Sequence, residues 1–150
     1  MSQAAVIAAI YAVVTVIFAP ISYGPMQIRV SEALTILPYF TPAAIPGLFV
    51  GCLAANTISP MGMLDMACGS AASLLSAWLS YVLRSRPLLV PLPPVAVNAA
   101  VVGAMIYFAY GVPMPLPVCM AWVAAGQFAA CYVLGYPLLL CLKGIKGLRF

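Results

Sequence analysis

The chain has 150 residues, of which 66% are apolar and only 5% are charged, and its formal net charge is +4. Soluble domains carry about 25% charged residues, so this chain cannot cover itself with a polar surface. We therefore expect an integral membrane protein in direct contact with the lipid bilayer. The basic residues are too few and too scattered for a nucleic-acid interface. Because the chain has no His, a Cys/His metal site is excluded.

Long uncharged stretches separate the few charges, and the longest covers residues 87–142. A crossing needs about 20 apolar residues, so this stretch holds two crossings and a turn. Prolines and glycines divide the rest of the chain. The sequence predicts a single all-α transmembrane domain, residues 1–150, in which six helices form a bundle with spans near residues 3–19, 29–40, 43–58, 64–83, 93–110 and 118–142.

The second span, near residues 29–40, is short for a membrane helix. Its roughly twelve residues would cover about 18 Å as an α-helix, whereas the hydrocarbon core is about 30 Å thick. We therefore expect it to be broken or only half-inserted. Irregular backbone persists at membrane depth only inside protein or beside a cavity. This span is accordingly a candidate wall of a binding site.

The orientation of the bundle follows from its basic residues. Arg84 and Arg86 lie between the fourth and fifth predicted spans, and Lys143, Lys146 and Arg149 follow the sixth. Loops rich in Lys and Arg stay in the cytoplasm. With six spans, both termini are then predicted to be cytoplasmic.

Glu32 and Asp65 are the only acids, and each begins a predicted span at its outer end. Ionisable residues in such segments are costly and are functional by default. Two structural alternatives stay open. Glu32 could pair with Arg29, which lies one helical turn away. Asp65 could instead cap the fourth helix by accepting hydrogen bonds from its free backbone N–H groups.

Amides and aromatic residues extend the candidate site. Asn56, Asn98 and Gln127 lie in apolar spans, where each amide must find a polar partner. Each amide could form a hydrogen bond to another helix or contact a ligand, and both alternatives stay open. Most aromatic residues belong to interfacial belts or to packing. Tyr39 is our candidate for stacking on a planar ligand.

Small residues recur every four positions in the first span, at Ala4, Ala8 and Ala12, and Gly47 and Gly51 repeat this spacing in the third. Such spacing allows another helix to approach closely.

Enzymatic functions are disfavoured, because the chain has no Gly-x-x-x-x-Gly-Lys-Ser/Thr phosphate loop. It also has no His for a Ser-His dyad and only one Asp, so no aspartyl pair. We expect neither an enzyme nor a bound cofactor.

Several motifs resemble the QueT family. The most specific is Arg-Val-Ser-Glu-Ala-Leu-Thr-Ile-Leu-Pro at 29–38, within a similar stretch over 18–47. Four further matches follow in the same order along the chain. They are Asn56, the Gly-x-x-Asp segment ending at Asp65, the Pro-Pro-Val-x-x-Asn run ending at Asn98, and the Cys-Tyr-Val-Leu-Gly-Tyr-Pro run at 131–137.

The resemblance implies a multi-pass protein of the bacterial cell membrane, the substrate-binding S-component of an energy-coupling factor (ECF) transporter. Such a subunit captures a queuosine precursor outside the cell. It then docks on an ECF module made of a transmembrane scaffold subunit and two ATPase subunits. By the resemblance, Ala4, Ala8 and Ala12 form the docking surface.

The implied ligand is 7-aminomethyl-7-deazaguanine or a related deazaguanine. Its guanine edge presents adjacent N–H donors that suit a carboxylate, and its aminomethyl group is cationic. We expect Glu32 to bind the edge and Asp65 the amine, with the remaining contacts from Arg29, Tyr39, Asn56, Asn98 and Gln127. In the family pattern Gly126 is followed by Glu. Gln127 stands here instead. If this position contacts the ligand, the resemblance implies a different protonation state or a different precursor.

Two other functions fit the residues. A self-sufficient, ion-coupled transporter of a small nucleobase-like solute would use the broken second span and the buried acids, as secondary transporters do. At 150 residues, it would need to dimerise. A membrane scaffold without transport activity would bind no nucleobase.

Overall fold

A computed structural model describes residues 2–23, 28–59 and 62–145. Within these ranges the chain is helical and has no β-strand. Lys146 and Arg149, which contributed to the predicted orientation, lie outside the described residues. The helices are α1 (Gln3–Ile17), α2 (Ala19–Ser22), a 3-10 helix (Val30–Tyr39), α3 (Ala44–Asn56), α4 (Gly62–Ser85), α5 (Leu92–Tyr110) and α6 (Leu116–Lys143).

Three helical segments are long and apolar enough to cross a bilayer: Gly62–Ser85, Pro87–Ala109 and Leu116–Lys143. They confirm the all-α membrane class. α1 and α3 are also apolar but shorter, with 15 and 13 residues. Whether these two helices and the 3-10 helix cross the bilayer, which the six-span bundle requires, stays a prediction.

α1 and α3 pack with their backbones in close contact. A Cβ atom added to Gly47 would lie 2.8 Å from the Ala4 carbonyl oxygen. One added to Gly51 would lie 2.8 Å from the Ala8 carbonyl oxygen. Small residues at such spacing permit this approach, which no larger side chain would allow. The glycines of the third span therefore serve packing between these two helices.

The second span is helical but not α-helical. Val30–Tyr39 forms a 3-10 helix with Pro38 inside it. Such helices rise about 2.0 Å per residue and rarely exceed 3–4 residues, and they often mark strain or a functional hinge. Its ten residues therefore cover about 20 Å. Most of its side chains are buried, including Ser31, Glu32 and Thr35, so this irregular helix lies inside the bundle.

One end of the bundle gathers the beginning of α1 and the end of α6. Thr41, just after the 3-10 helix, donates a hydrogen bond to Gln3 Oε1 at 3.0 Å. Phe40 packs with Val90 and Leu139 in one apolar cluster. The two ends of the described chain thus lie on the same side, and the assignment of that side to the cytoplasm stays a prediction.

We expect Gly51→Val to destabilise the protein, because its Cβ would collide with the α1 backbone. Overpacking of this kind costs about 1–3 kcal/mol. The control Ala54→Val adds bulk to an exposed position of the same helix and should change stability by less than about 0.5 kcal/mol. Thermal unfolding in detergent measures both variants, and equal midpoints would contradict the close α1–α3 packing.

Candidate ligand-binding site

Three segments that depart from α-helical geometry surround one buried polar cluster. They are the beginning of the 3-10 helix, the π-helical Asp65–Gly69 within α4 and the π-helical Ala129–Gly135 within α6. π-helical turns occur frequently at functional sites. A Cβ added to Gly135 would lie 3.1 Å from the Ala33 carbonyl oxygen, so this glycine allows the 3-10 helix to approach α6.

A buried ion pair joins the loop before the 3-10 helix to α4. Arg29 Nη2 lies 2.9 Å from Asp65 Oδ2, and the two side chains are 4% and 0% exposed. Arg29 Nη1 lies 3.7 Å from Cys52 Sγ, and the guanidinium carbon lies 5.6 Å from the centre of the Tyr23 ring. The alternative in which Arg29 pairs with Glu32 is therefore wrong for the described residues, because the Arg29 guanidinium binds the Asp65 carboxylate instead.

Asp65 does not cap a helix. α4 begins three residues earlier, at Gly62, so Asp65 lies inside a helix and its carboxylate is directed to Arg29. The Asp65 backbone carbonyl accepts a hydrogen bond from Asn56 Nδ2 at 2.9 Å. A Cβ at Gly69 would lie 2.9 Å from Asp65 Oδ1 and 3.0 Å from Asn56 Nδ2. The glycine thus leaves room for this carboxylate and this amide beside it.

Glu32 is 2% exposed and lies at the beginning of the 3-10 helix. Its Oε1 accepts a hydrogen bond of 2.6 Å from the Tyr11 hydroxyl of α1. Thr35 Oγ1 donates to the Glu32 carbonyl oxygen at 2.6 Å, and Thr15 Oγ1 lies 2.6 Å from Ser31 Oγ. These bonds fix the 3-10 helix against α1 and hold the Glu32 carboxylate in the bundle interior.

Gln127 is buried on α6 and reaches the cluster through Cys131. Cys131 Sγ lies 3.7 Å from Gln127 Oε1 and 3.6 Å from the Glu32 carbonyl oxygen. It also lies 3.8 Å from Thr35 Oγ1. Gln127 therefore belongs to the same polar cluster as Glu32.

Four buried polar atoms of the cluster have no hydrogen-bond partner within the described part of the chain. They are Arg29 Nε, Glu32 Oε2, Asn56 Oδ1 and Asp65 Oδ1. Leaving a buried donor or acceptor unpaired costs about 1–3 kcal/mol, and more for a charged group. The cluster thus offers one donor and three acceptors to any polar group that enters it.

The charges of the buried polar cluster do not cancel. The cluster contains two carboxylates, Glu32 and Asp65, and one guanidinium, Arg29, so ionised side chains leave one excess negative charge. An uncompensated charge is expensive in a low-dielectric interior. Chemically, the arrangement suits a polar ligand with several hydrogen-bonding groups and one positive charge.

The structure brings together Arg29, Glu32, Asn56, Asp65 and Gln127, but not all of the predicted residues. Tyr39 lies seven residues beyond Glu32, about 14 Å along a 3-10 helix, and packs edge-on against Phe40. Asn98 is buried on α5, and no hydrogen bond joins it to the cluster among the residues described. A role of these two side chains in ligand binding stays a prediction.

The small residues proposed for docking lie at the edge of the α1–α3 contact. Ala4, Ala8 and Ala12 are half-buried, and the backbones of the first two contact α3. The exposed side of α1 carries Ala9 and Val13 instead. The contact with α3 leaves a part of each predicted docking alanine accessible, and docking by these residues stays a prediction.

Sequence reasoning missed the hydroxyl and thiol groups that complete the cluster. Tyr11, Thr15, Ser31, Thr35 and Cys131 all contact it or its backbone. A signal existed for the first two, because positions i and i+4 share one face of a helix. Two hydroxyls on one face of an apolar helix indicate a polar partner inside the bundle.

Comparison with known proteins decides the family. The family model described as "QueT transporter" matches residues 1–144. The chain belongs to the QueT transporter family. Over 84 residues it is 33% identical to the "Queuosine precursor transporter QueT" of Lactococcus lactis subsp. cremoris, in an alignment covering 55% of this chain and 49% of that relative. The match therefore spans about half the length of the relative, and no solved structure matches the chain.

Membership of the QueT transporter family confirms the resemblance seen in the sequence motifs. Together with the apolar helices, it identifies a multi-pass protein of the bacterial cell membrane. The family is one of transporters and not of enzymes. The buried polar cluster of this protein is accordingly a candidate site for a transported solute.

The ion pair yields a stability prediction. Arg29→Met leaves the Asp65 carboxylate buried without its cation, which costs about 3–5 kcal/mol. Adding Asp65→Asn to Arg29→Met removes the uncompensated charge and should restore part of this loss. Thermal unfolding of the ligand-free protein in detergent measures both effects. A double variant no more stable than Arg29→Met would show that the pair is not coupled.

Proposed function

We propose that this chain is the substrate-binding S-component of an ECF transporter and that it binds a queuosine precursor, 7-aminomethyl-7-deazaguanine or a related deazaguanine. The observation that carries the proposal is the buried cluster around Arg29, Glu32 and Asp65, in a chain whose family model is that of QueT transporters. The curated relative is named for the transport of a queuosine precursor, and the cluster has the chemistry that such a ligand requires.

The ligand and the cluster match in two respects. A deazaguanine presents N–H donors and a carbonyl acceptor on one edge, and the cluster has unpaired acceptors and one unpaired donor. The aminomethyl group adds one positive charge, and ionised Arg29, Glu32 and Asp65 sum to one negative charge. Because these side chains are at most 4% exposed, a ligand could reach them only if the surrounding helices moved apart.

Dependence on partner subunits follows from the S-component assignment. The sequence has no P-loop motif of its own, so ATP-driven uptake would draw energy from the ATPase subunits of the ECF module. Ala4, Ala8 and Ala12, with the exposed side of α1, would meet the scaffold subunit. Small side chains there permit close contact between helices.

A self-sufficient ion-coupled transporter is the second candidate. The buried carboxylates beside non-α segments favour it, since secondary transporters bind solute and ions at interrupted helices. Glu32 would then carry the coupling proton or cation. Uptake that needs an ion gradient but neither ATP nor partner subunits would identify this mechanism.

Reconstitution separates the two candidates. We expect the purified chain to bind 7-aminomethyl-7-deazaguanine in calorimetry, and liposomes with the chain alone to accumulate none of it. Accumulation should begin when the ECF module and internal ATP are supplied together. Uptake by the chain alone under a proton or sodium gradient would contradict the S-component proposal. Failure to bind any nucleobase would contradict both candidates and favour a scaffold.

Docking is tested separately from binding. Ala9→Trp places bulk on the exposed side of α1 and should abolish ATP-driven uptake, while the dissociation constant for the ligand stays within about threefold, under 1 kcal/mol. The control Val50→Trp adds the same bulk to an exposed position of α3. It should leave both the ATP-driven uptake and the dissociation constant unchanged. Equal loss of binding and uptake in Ala9→Trp would mean that α1 serves the fold and not docking.

A further inference from the structure

The two buried acids differ in charge compensation, and this difference assigns them different parts of the ligand. We infer that Glu32 binds the cationic aminomethyl group, and that Arg29, Asn56 and Asp65 bind the uncharged edge of the heterocycle. This reverses the roles expected from the sequence. The inference rests on the proposed function and deepens it, because it states which part of the ligand each acid recognises.

Asp65 already has a cation. Its Oδ2 lies 2.9 Å from Arg29 Nη2, and both side chains are buried. A second cation at this carboxylate would lie close to the guanidinium, and like charges at short range repel strongly in a low-dielectric site. The aminomethyl group is therefore disfavoured at Asp65.

The hydrogen-bond partner of the Glu32 carboxylate among the described residues is neutral. The Tyr11 hydroxyl donates to Oε1 at 2.6 Å, and Oε2 has no partner among the described residues. A hydrogen bond from a neutral hydroxyl does not cancel the charge of a carboxylate. An ammonium group would supply both the missing cation and a donor for the free oxygen, and charge-assisted hydrogen bonds are about twice as strong as neutral ones.

The remaining unpaired atoms complement a guanine edge. Asp65 Oδ1 and Asn56 Oδ1 are two acceptors, and Arg29 Nε is one donor. A guanine edge presents the opposite set, with N–H donors from the ring and the exocyclic amine and an acceptor at the carbonyl oxygen. Gly69 adjoins the carboxylate and amide of this set without a side chain of its own. The edge therefore finds its partners at the Arg29–Asp65 pair and not at Glu32.

A pair of ligands tests the assignment. 7-Methyl-7-deazaguanine keeps the heterocycle of 7-aminomethyl-7-deazaguanine but has no cation. Calorimetry measures the affinity of both compounds for the wild type, Glu32→Gln and Asp65→Asn. We expect Glu32→Gln to weaken the aminomethyl ligand at least about tenfold, or 1.4 kcal/mol, and the methyl ligand by less than about threefold. Asp65→Asn should weaken both ligands by a similar factor.

Each other result has a defined meaning. Equal losses for both ligands in Glu32→Gln, or a loss confined to the aminomethyl ligand in Asp65→Asn, would overturn the assignment. If Asp65→Asn does not fold, Asn56→Ser takes its place, since it also removes an edge acceptor and should weaken both ligands alike. A wild type that binds neither compound would overturn the proposed function itself, and the inference with it.

Discussion

The ion pair between Arg29 and Asp65 is the interaction on which the rest of the site depends. A guanidinium and a carboxylate taken out of water lose several kcal/mol of solvation each, and they recover it only with good geometry and further hydrogen bonds. Here the pair joins Arg29, the residue directly before the 3-10 helix, to α4. Asn56 then binds the Asp65 backbone, so α3 is held to the same point. Three elements are thereby fixed at one end of the bundle.

The irregular helical segments coincide with the same polar cluster. A straight α-helix presents its side chains at a fixed spacing, whereas π-helical and 3-10 turns change the direction in which successive side chains project. Asp65 begins one π-helical turn, Cys131 lies in another, and Glu32 lies in the 3-10 helix. Most residues of the 3-10 helix are buried in the protein, as irregular backbone in a membrane requires. The departures from regular geometry therefore occur where polar side chains must converge.

The sequence predicted the broad outline well, because hydropathy and proline placement act locally. The expected fourth and sixth spans, residues 64–83 and 118–142, agree within two residues with α4 and α6. The partner of Arg29 was not predictable in this way. Glu32 is three residues from Arg29 and Asp65 thirty-six, and helical periodicity favours the near carboxylate. Arg29 pairs with the more distant carboxylate, Asp65, because of how α4 packs in the bundle. No local sequence pattern specifies that packing. Tyr39 lies seven residues beyond Glu32 on the 3-10 helix, and its part in ligand binding stays a prediction.

The residue at position 127 connects the charge of the cluster with the proposed ligand. Gln127 is joined through Cys131 to the backbone of Glu32. An ionised Glu here would add a second uncompensated negative charge to a cluster that contains one cation, Arg29. Gln keeps a polar group of the same size and leaves the excess at a single charge. An excess of one negative charge is what the single cationic group of the proposed ligand would neutralise.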